Sequence, residues 1–117
     1  MQYLLLIYAN EAETAAMDKS IMATMMKDYG DFTKSIVQGG QFKAGDRLKP
    51  ASTATTVRVR NGKTVTTDGP FAETREQLGG YYLVEAKNLD EASGIAARIP
   101  GARHGSVEVR PVWPSMG

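Results

Sequence analysis

The hydrophobic and polar positions along the chain change period several times, and each change marks an element. Gln2–Ala9 is nearly continuous in apolar residues, with Tyr3, Leu5 and Ile7 on one face of an extended chain and Leu4, Leu6 and Tyr8 on the other. A short run that is apolar on both faces predicts a strand covered from two sides. Asn10–Ala16 is small and polar and reads as a connecting loop. From Met17 to Gln38 the period shifts, and Ile21, Met25, Tyr29, Phe32 and Ile36 recur at three- and four-residue steps, one face of a helix. Met17, Met22 and Met26 widen that stripe and are read as core filler. Gly39-Gly40 ends the helix, because glycine takes a left-handed cap conformation without penalty. Gln41–Lys49 follows as a second strand, with Phe42 and Ala44 facing opposite to Lys43, and Pro50–Ala54 as a linker.

The middle of the chain is governed by turn chemistry. Asn61-Gly62 predicts a two-residue type I′ hairpin, which fixes the register of its strands. Arg60 then pairs with Lys63, Val59 with Thr64, Arg58 with Val65 and Val57 with Thr66. One face of this ribbon carries Arg58, Arg60, Lys63 and Val65, the other Val57, Val59, Thr64 and Thr66, so it should pack by one face with the basic side in water. Beyond the turn Asp68-Gly69-Pro70-Phe71, Leu78–Ala86 alternates as a strand, with Tyr82, Val84 and Ala86 opposite Tyr81 and Leu83. Asn88 with Glu91 forms a capping box for a short helix ending near Ile99, stopped by Pro100-Gly101. Ser106–Val112 is a last strand, with Val107 and Val109 inward and Glu108 and Arg110 together outside. The tail Trp113–Gly117 is expected to cross onto another surface, since tryptophan seldom stays exposed.

With the hairpin set aside, the order is strand–helix–strand, twice. That predicts an α+β, ferredoxin-like βαββαβ domain over residues 1–112, with the hairpin inserted between its second and third strands. Both helices fall on one face of the sheet, yet Gln2–Ala9 is apolar on two. At about 25 cal/mol per Å2, leaving Leu4, Leu6 and their neighbours wet would sacrifice several kcal/mol. A second copy of the chain is the simplest cover, so a homodimer with facing sheets is expected.

Composition narrows the function classes. The 117 residues carry 14 basic and 13 acidic side chains, a net charge of +1, which gives no electrostatic case for nucleic acid or an anionic membrane. No apolar run is long enough to span a bilayer. There is no cysteine and one histidine, so a thiol nucleophile is excluded and a zinc or iron–sulfur centre is not expected. A soluble cytoplasmic protein without cofactor is the default expectation.

Polar chemistry concentrates in Asp68–Gln77. An aspartate in a turn normally accepts from the backbone N–H two residues on. Here that residue is Pro70, which has none. Asp68 is therefore either a catalytic acid or base facing a pocket, or a cap accepting from Phe71 or Ala72. Phe71 is read as a core anchor, and Gly69 as a positive-φ residue. Arg75 is a candidate for binding a substrate carboxylate, with Glu73 or Glu76 as its partner; a solvated charged loop is the alternative. His104, of the side-chain type that changes charge near neutrality, is a second candidate acid–base residue if the fold brings it near Asp68. Arg47 with Asp46, Tyr81 and Tyr29 complete the candidate substrate-binding set. No phosphate loop, metal triad or serine-nucleophile motif is present.

The segment TVRVRNGKTVTTDGPFAETREQLGGYYLVEA and the later GSVEVRPV resemble the YCII-related family, in its DGPF-domain branch. The resemblance implies a dimeric α/β barrel. In the broader family an Asp–His pair implies enzymatic activity, and the histidine lies in the first helix. Here that helix has none, and Tyr29 is its nearest polar aromatic. Arg75 stands where typical DGPF proteins have lysine. Members of the branch often occur beside sigma-factor genes. Two functions follow: a cofactor-free small-molecule enzyme acting on an anionic substrate at the DGPF loop, or a non-catalytic dimeric ligand-binding or regulatory module linked to sigma-factor signalling. A third is partner binding through the Arg58/Arg60/Lys63 face.

Overall fold

The computed structural model describes residues 1–114. The chain is α+β, with a four-stranded sheet in the order β2-β5-β1-β6 and a separate two-stranded ribbon β3-β4. The sheet strands are β1 (Gln2–Ala9), β2 (Phe42–Arg47), β5 (Gln77–Glu85) and β6 (Ser106–Pro111), and every pairing is antiparallel. Helices α2 (Lys19–Gln38) and α3 (Leu89–Arg98) supply the crossovers. This order is compatible with a ferredoxin-like arrangement in which the ribbon, β3 (Thr55–Arg60) and β4 (Lys63–Asp68), is the insertion.

One core explains the placement of the helices. Tyr3 and Leu5 of β1 and Val84 of β5 pack against Phe32 and Ile36 of α2 and against Ala92, Ile95 and Ala96 of α3, with Ile99. Side chains alternate along β1, so Leu4 and Leu6, paired across to Leu83 and Tyr81, belong to the opposite face. The helical side chains of the core, Phe32, Ile36, Ala92, Ile95 and Ala96, all pack on the Tyr3–Leu5 face. Asn88 caps α3 by accepting from the N–H of Glu91 at 2.9 Å, as the capping motif predicts.

Several local expectations are corrected. Asn10–Ala16 is not an open loop: Glu11–Ala15 forms a short helix, α1, capped by Asn10, whose carboxamide oxygen accepts from Glu13 N–H at 2.9 Å. Five residues are too few to display a helical stripe, so periodicity could not show it. Asp18 caps α2 in the same way, which moves its start to Lys19. In β2 an irregularity between Phe42 and Ala44 opposes them to the adjacent residues Val84 and Leu83. The extra residue turns Phe42 toward the helices and Ala44 away, rather than placing both on one face. Within the linker, Ala51–Thr53 forms a 3-10 turn.

The ribbon adopts the predicted register pair for pair, with Asn61 and Gly62 both at positive φ. Its packing is the reverse of expectation. Val57 and Val59 are 58% and 60% exposed, while Thr56 and Arg58 on the other face are half-covered. Every residue of β4 is exposed, and the ribbon projects as an arm. Phe71, read as a core anchor, is 78% exposed. Trp113 is 91% exposed, so it does not cross onto another surface of this chain; the rest of the tail, 115–117, lies outside the described residues. No helix among the described residues is long and apolar enough to cross a membrane.

Candidate functional site

An apolar cavity of about 330 Å3 lies between the N-terminal half of α2 and the helix-facing side of the sheet, and a shallower hollow of about 390 Å3 lies beyond it between α2 and Arg103–His104. The first two turns of α2 and the Met17 that precedes them run beyond the packed core. Ile21 there is exposed and Met22 and Met25 are only half-buried, whereas Phe32 and Ile36 further along are buried. Met17, Met22, Met25 and Met26 therefore wall the cavity instead of filling the core. Their helical spacing is the same in either role, which is why the pattern alone assigned them to the interior. Thioether side chains make a wall that reshapes easily around an apolar guest.

The sheet side of the cavity is made by glycines and tyrosines. A Cβ on Gly45 would lie 2.8 Å from the Tyr82 ring, so the ring rests over the bare glycine backbone. Tyr82 packs edge-on against Phe32, with centroids 5.2 Å apart, and its hydroxyl bonds Thr33 Oγ1 at 2.6 Å. Gly80, opposite Arg47, leaves the strands close: a Cβ there would meet Asp46 O at 2.9 Å. Arg47 ends β2 at the cavity, and none of the ion pairs between described residues uses it.

Tyr29 is held by the turn that follows α3. Its hydroxyl oxygen accepts from Gly101 N–H at 3.1 Å, and a Cβ on Gly101 would sit 2.5 Å from that oxygen. Next along α2, Asp28 pairs with Arg103 at 3.0 Å, so consecutive residues grip the same 3-10 turn, Pro100–Arg103. Burial raises the Tyr29 hydroxyl pKa above its usual 10.0, while the Gly101 N–H and the charges of Arg103 and Arg47 pull it down. His104 closes the turn through a backbone bond to Gly101 O at 3.2 Å and borders the cavity.

Of the residues singled out from the sequence, Tyr29, Arg47 and His104 line this cavity, while Tyr81 and Asp46 border it from strand positions whose side chains alternate to the other face. Asp46 and Tyr81 are opposite each other in the ladder, and the Tyr81 hydroxyl donates to Asp46 Oδ2 at 2.6 Å, which raises the Tyr81 pKa. Asp68, Glu73 and Arg75 are not among the lining residues. Asp68 ends the ribbon opposite Thr55 and makes no cap; the bonds at this corner are from Gly69 N–H to Ala54 O at 2.7 Å and from Thr56 Oγ1 to Gly69 O at 2.9 Å. Gly69 has a φ of 99°, as anticipated. Arg75 is tethered through its carbonyl, which accepts from Asn10 Nδ2 at 3.0 Å, and its guanidinium pairs with neither Glu73 nor Glu76. Glu76 instead accepts from Ser106 Oγ at 2.8 Å.

Gly101, Thr33 and Tyr82 were not legible as cavity residues, since their places arise only from where the turn, α2 and the sheet meet. Among the described residues no cluster of acidic, histidine or cysteine side chains has metal-binding geometry. The arrangement suits a small apolar molecule with a polar head, held without covalent chemistry or transformed by proton transfer.

Comparison with known proteins agrees with the fold. The model of the YCII-related domain matches residues 1–115. An uncharacterised protein of Rhizobium meliloti is 40% identical over 114 residues, spanning 96% of this chain and 92% of the relative. The chain therefore belongs to the YCII-related family.

Proposed function

We propose that the protein is a homodimeric, cofactor-free small-molecule enzyme whose site is the methionine-walled cavity. His104 and Tyr29 serve as its proton-transfer groups, and Arg47 orients the substrate. The observation that carries this reading is the convergence of Tyr29, Arg47 and His104, from three separate elements, on one apolar cavity of about 330 Å3. That volume is of the size small-molecule sites use, and its few polar groups are gathered rather than scattered. Acid–base chemistry needs only such groups within hydrogen-bond reach of a bound substrate.

The homodimer is supported by the sheet face turned away from the helices. Leu4, Leu6, Tyr8 and Leu83 sit on it half-buried, and covering what is left of each contributes part of the ~1.5–3 kcal/mol that full burial of such a side chain brings. A second copy stacked sheet to sheet would complete a dimeric α/β barrel. The alternative, a non-catalytic ligand-binding or regulatory module, is favoured by one observation: Asp68, Glu73 and Arg75 stand apart from the cavity of their own subunit.

Both readings require the cavity to take a guest. Titration with the fluorophore anilinonaphthalene sulfonate is expected to saturate at one molecule per subunit. Met25→Trp, which fills the space, should weaken that binding about tenfold or more while melting near wild type. Equal binding by wild type and variant would refute the cavity as the site.

A further inference from the structure

Among the cavity's polar side chains, Tyr29, Arg47 and His104 can each donate a proton to a guest, and this bias specifies a ligand. Tyr29's hydroxyl oxygen already accepts the Gly101 N–H, so what it has left to offer is its own O–H. Arg47 brings a guanidinium that none of the ion pairs between described residues uses. Asp46, between Gly45 and Arg47, turns its side chain to the sheet's other face, where it accepts the Tyr81 hydroxyl at 2.6 Å. Thr33 and Tyr82 satisfy one another at 2.6 Å. The remaining walls are the four methionines, Ile7, Phe42 and glycine backbone.

We infer that the cavity takes an apolar molecule ending in an oxyanion, of the class of medium-chain or aryl carboxylates, with the anionic oxygens received by the Tyr29 hydroxyl and the Arg47 guanidinium. The inference rests on the cavity being the binding site and goes beyond it by fixing the charge and shape of the ligand. A cation would meet Arg47 with no free carboxylate to offset it, and a neutral alcohol would leave the guanidinium without a counter-charge in a largely apolar enclosure. The positive charges of Arg47 and Arg103 are both felt at Tyr29, that of Arg103 offset by its pair with Asp28. Gly101 is part of the device. Its missing side chain admits the Tyr29 oxygen, and its N–H occupies an acceptor site there, which leaves the O–H as the group to offer a guest. Tyr29 is thus a hydrogen-bond donor to the ligand, held in that role by the turn after α3.

Isothermal titration of the purified full chain with octanoate, octanamide and octylammonium tests this, because the three share one hydrocarbon body. Octanoate is expected to bind about tenfold or more tighter than octanamide, and octylammonium weakest. Arg47→Met should bring octanoate down to the octanamide level while leaving octanamide unchanged, which also reports that the variant is folded. Tyr29→Phe should weaken octanoate several-fold with the same control. Octanamide binding as tightly as octanoate, or octylammonium binding tightest, would overturn the oxyanion inference while leaving the cavity reading intact. Binding of none of the three would overturn the cavity reading itself, and the inference with it.

Discussion

The body and the arm of this molecule are built on opposite terms. In the body, four strands and two helices close over one core, and Leu5, Ile36, Val84 and Ile99 are fully buried. In the arm, two strands hydrogen-bond to each other in perfect register and bury almost nothing. An isolated two-stranded ribbon is marginal in water at best. The arm also carries the chain's densest polar motif at its base, Asp68–Gln77, whereas the cavity lies in the body and is walled by residues that look unremarkable in sequence. The contrast shows that local chemical density and concave geometry are separate properties. Turn residues and charges gather where the backbone must bend in water, and a pocket forms where a helix overruns the core beneath it.

The largest effect that separates the two regions is truncation of an apolar side chain in each. Leu5→Ala should cost about 2–5 kcal/mol at every protein concentration, since Leu5 is completely buried within one subunit. Val59→Ala in the arm should cost no more than about 0.5 kcal/mol in dilute solution, where nothing covers it. If the arm and the sheet face turned away from the helices meet a second subunit, the Val59→Ala loss grows with protein concentration, and wild-type stability rises with it. Urea unfolding over a hundredfold range of concentration measures both. A Val59→Ala loss equal to that of Leu5→Ala, and flat with concentration, would mean that the arm folds onto its own body and would erase the contrast.

Features fixed by local chemistry were legible from the sequence. Asn61-Gly62 dictated the ribbon's register, Asn88 with Glu91 placed the start of α3, and Val107 and Val109 showed the inward face of β6. The apolar double face of β1 was equally plain. Features set by tertiary placement were not. Met22 and Met25 share the period of Phe32 and Ile36, and only the end of the core beneath α2 separates wall from interior. The ribbon's register said nothing of where the ribbon points, so its valines were read inward. Part of the cavity's lining was within reach: Arg47, Tyr29 and His104 could be nominated by residue type. Gly101 could not, because a glycine after a helix is ordinary until a tyrosine hydroxyl is found resting against it.

Two glycines sharpen the same comparison with a smaller effect. Gly101→Ala in the body places a methyl group 2.5 Å from the Tyr29 hydroxyl and should destabilise by about 1–3 kcal/mol. Gly62→Ala at the tip of the arm meets nothing within 4 Å and is opposed only by its φ of 73°, a cost of about 1 kcal/mol. Tyr29→Phe removes the oxygen in the way, so it should restore much of the stability of Gly101→Ala and none of that of Gly62→Ala. Thermal melting of the four variants decides the matter. Equal rescue in both backgrounds, or in neither, would show that the Gly101–Tyr29 contact does not set the packing at the head of the cavity.

The smallest expected effect falls on the residue that drew most attention in the sequence. Asp68 is exposed, its carboxylate caps no turn, and its corner is held by the bonds of Gly69 and Thr56 instead. Asp68→Asn should therefore leave the melting temperature and urea midpoint within about 0.5 kcal/mol of wild type. A loss of about 1 kcal/mol or more would restore the capping role and make the residue structural. With stability unchanged, the octanoate affinity of the same variant separates the roles that remain. An affinity equal to wild type leaves Asp68 outside the site. A change of about threefold or more, in a residue absent from the lining of its own subunit's cavity, would bring the arm of one subunit to the cavity of another, and the two regions would then be halves of one site.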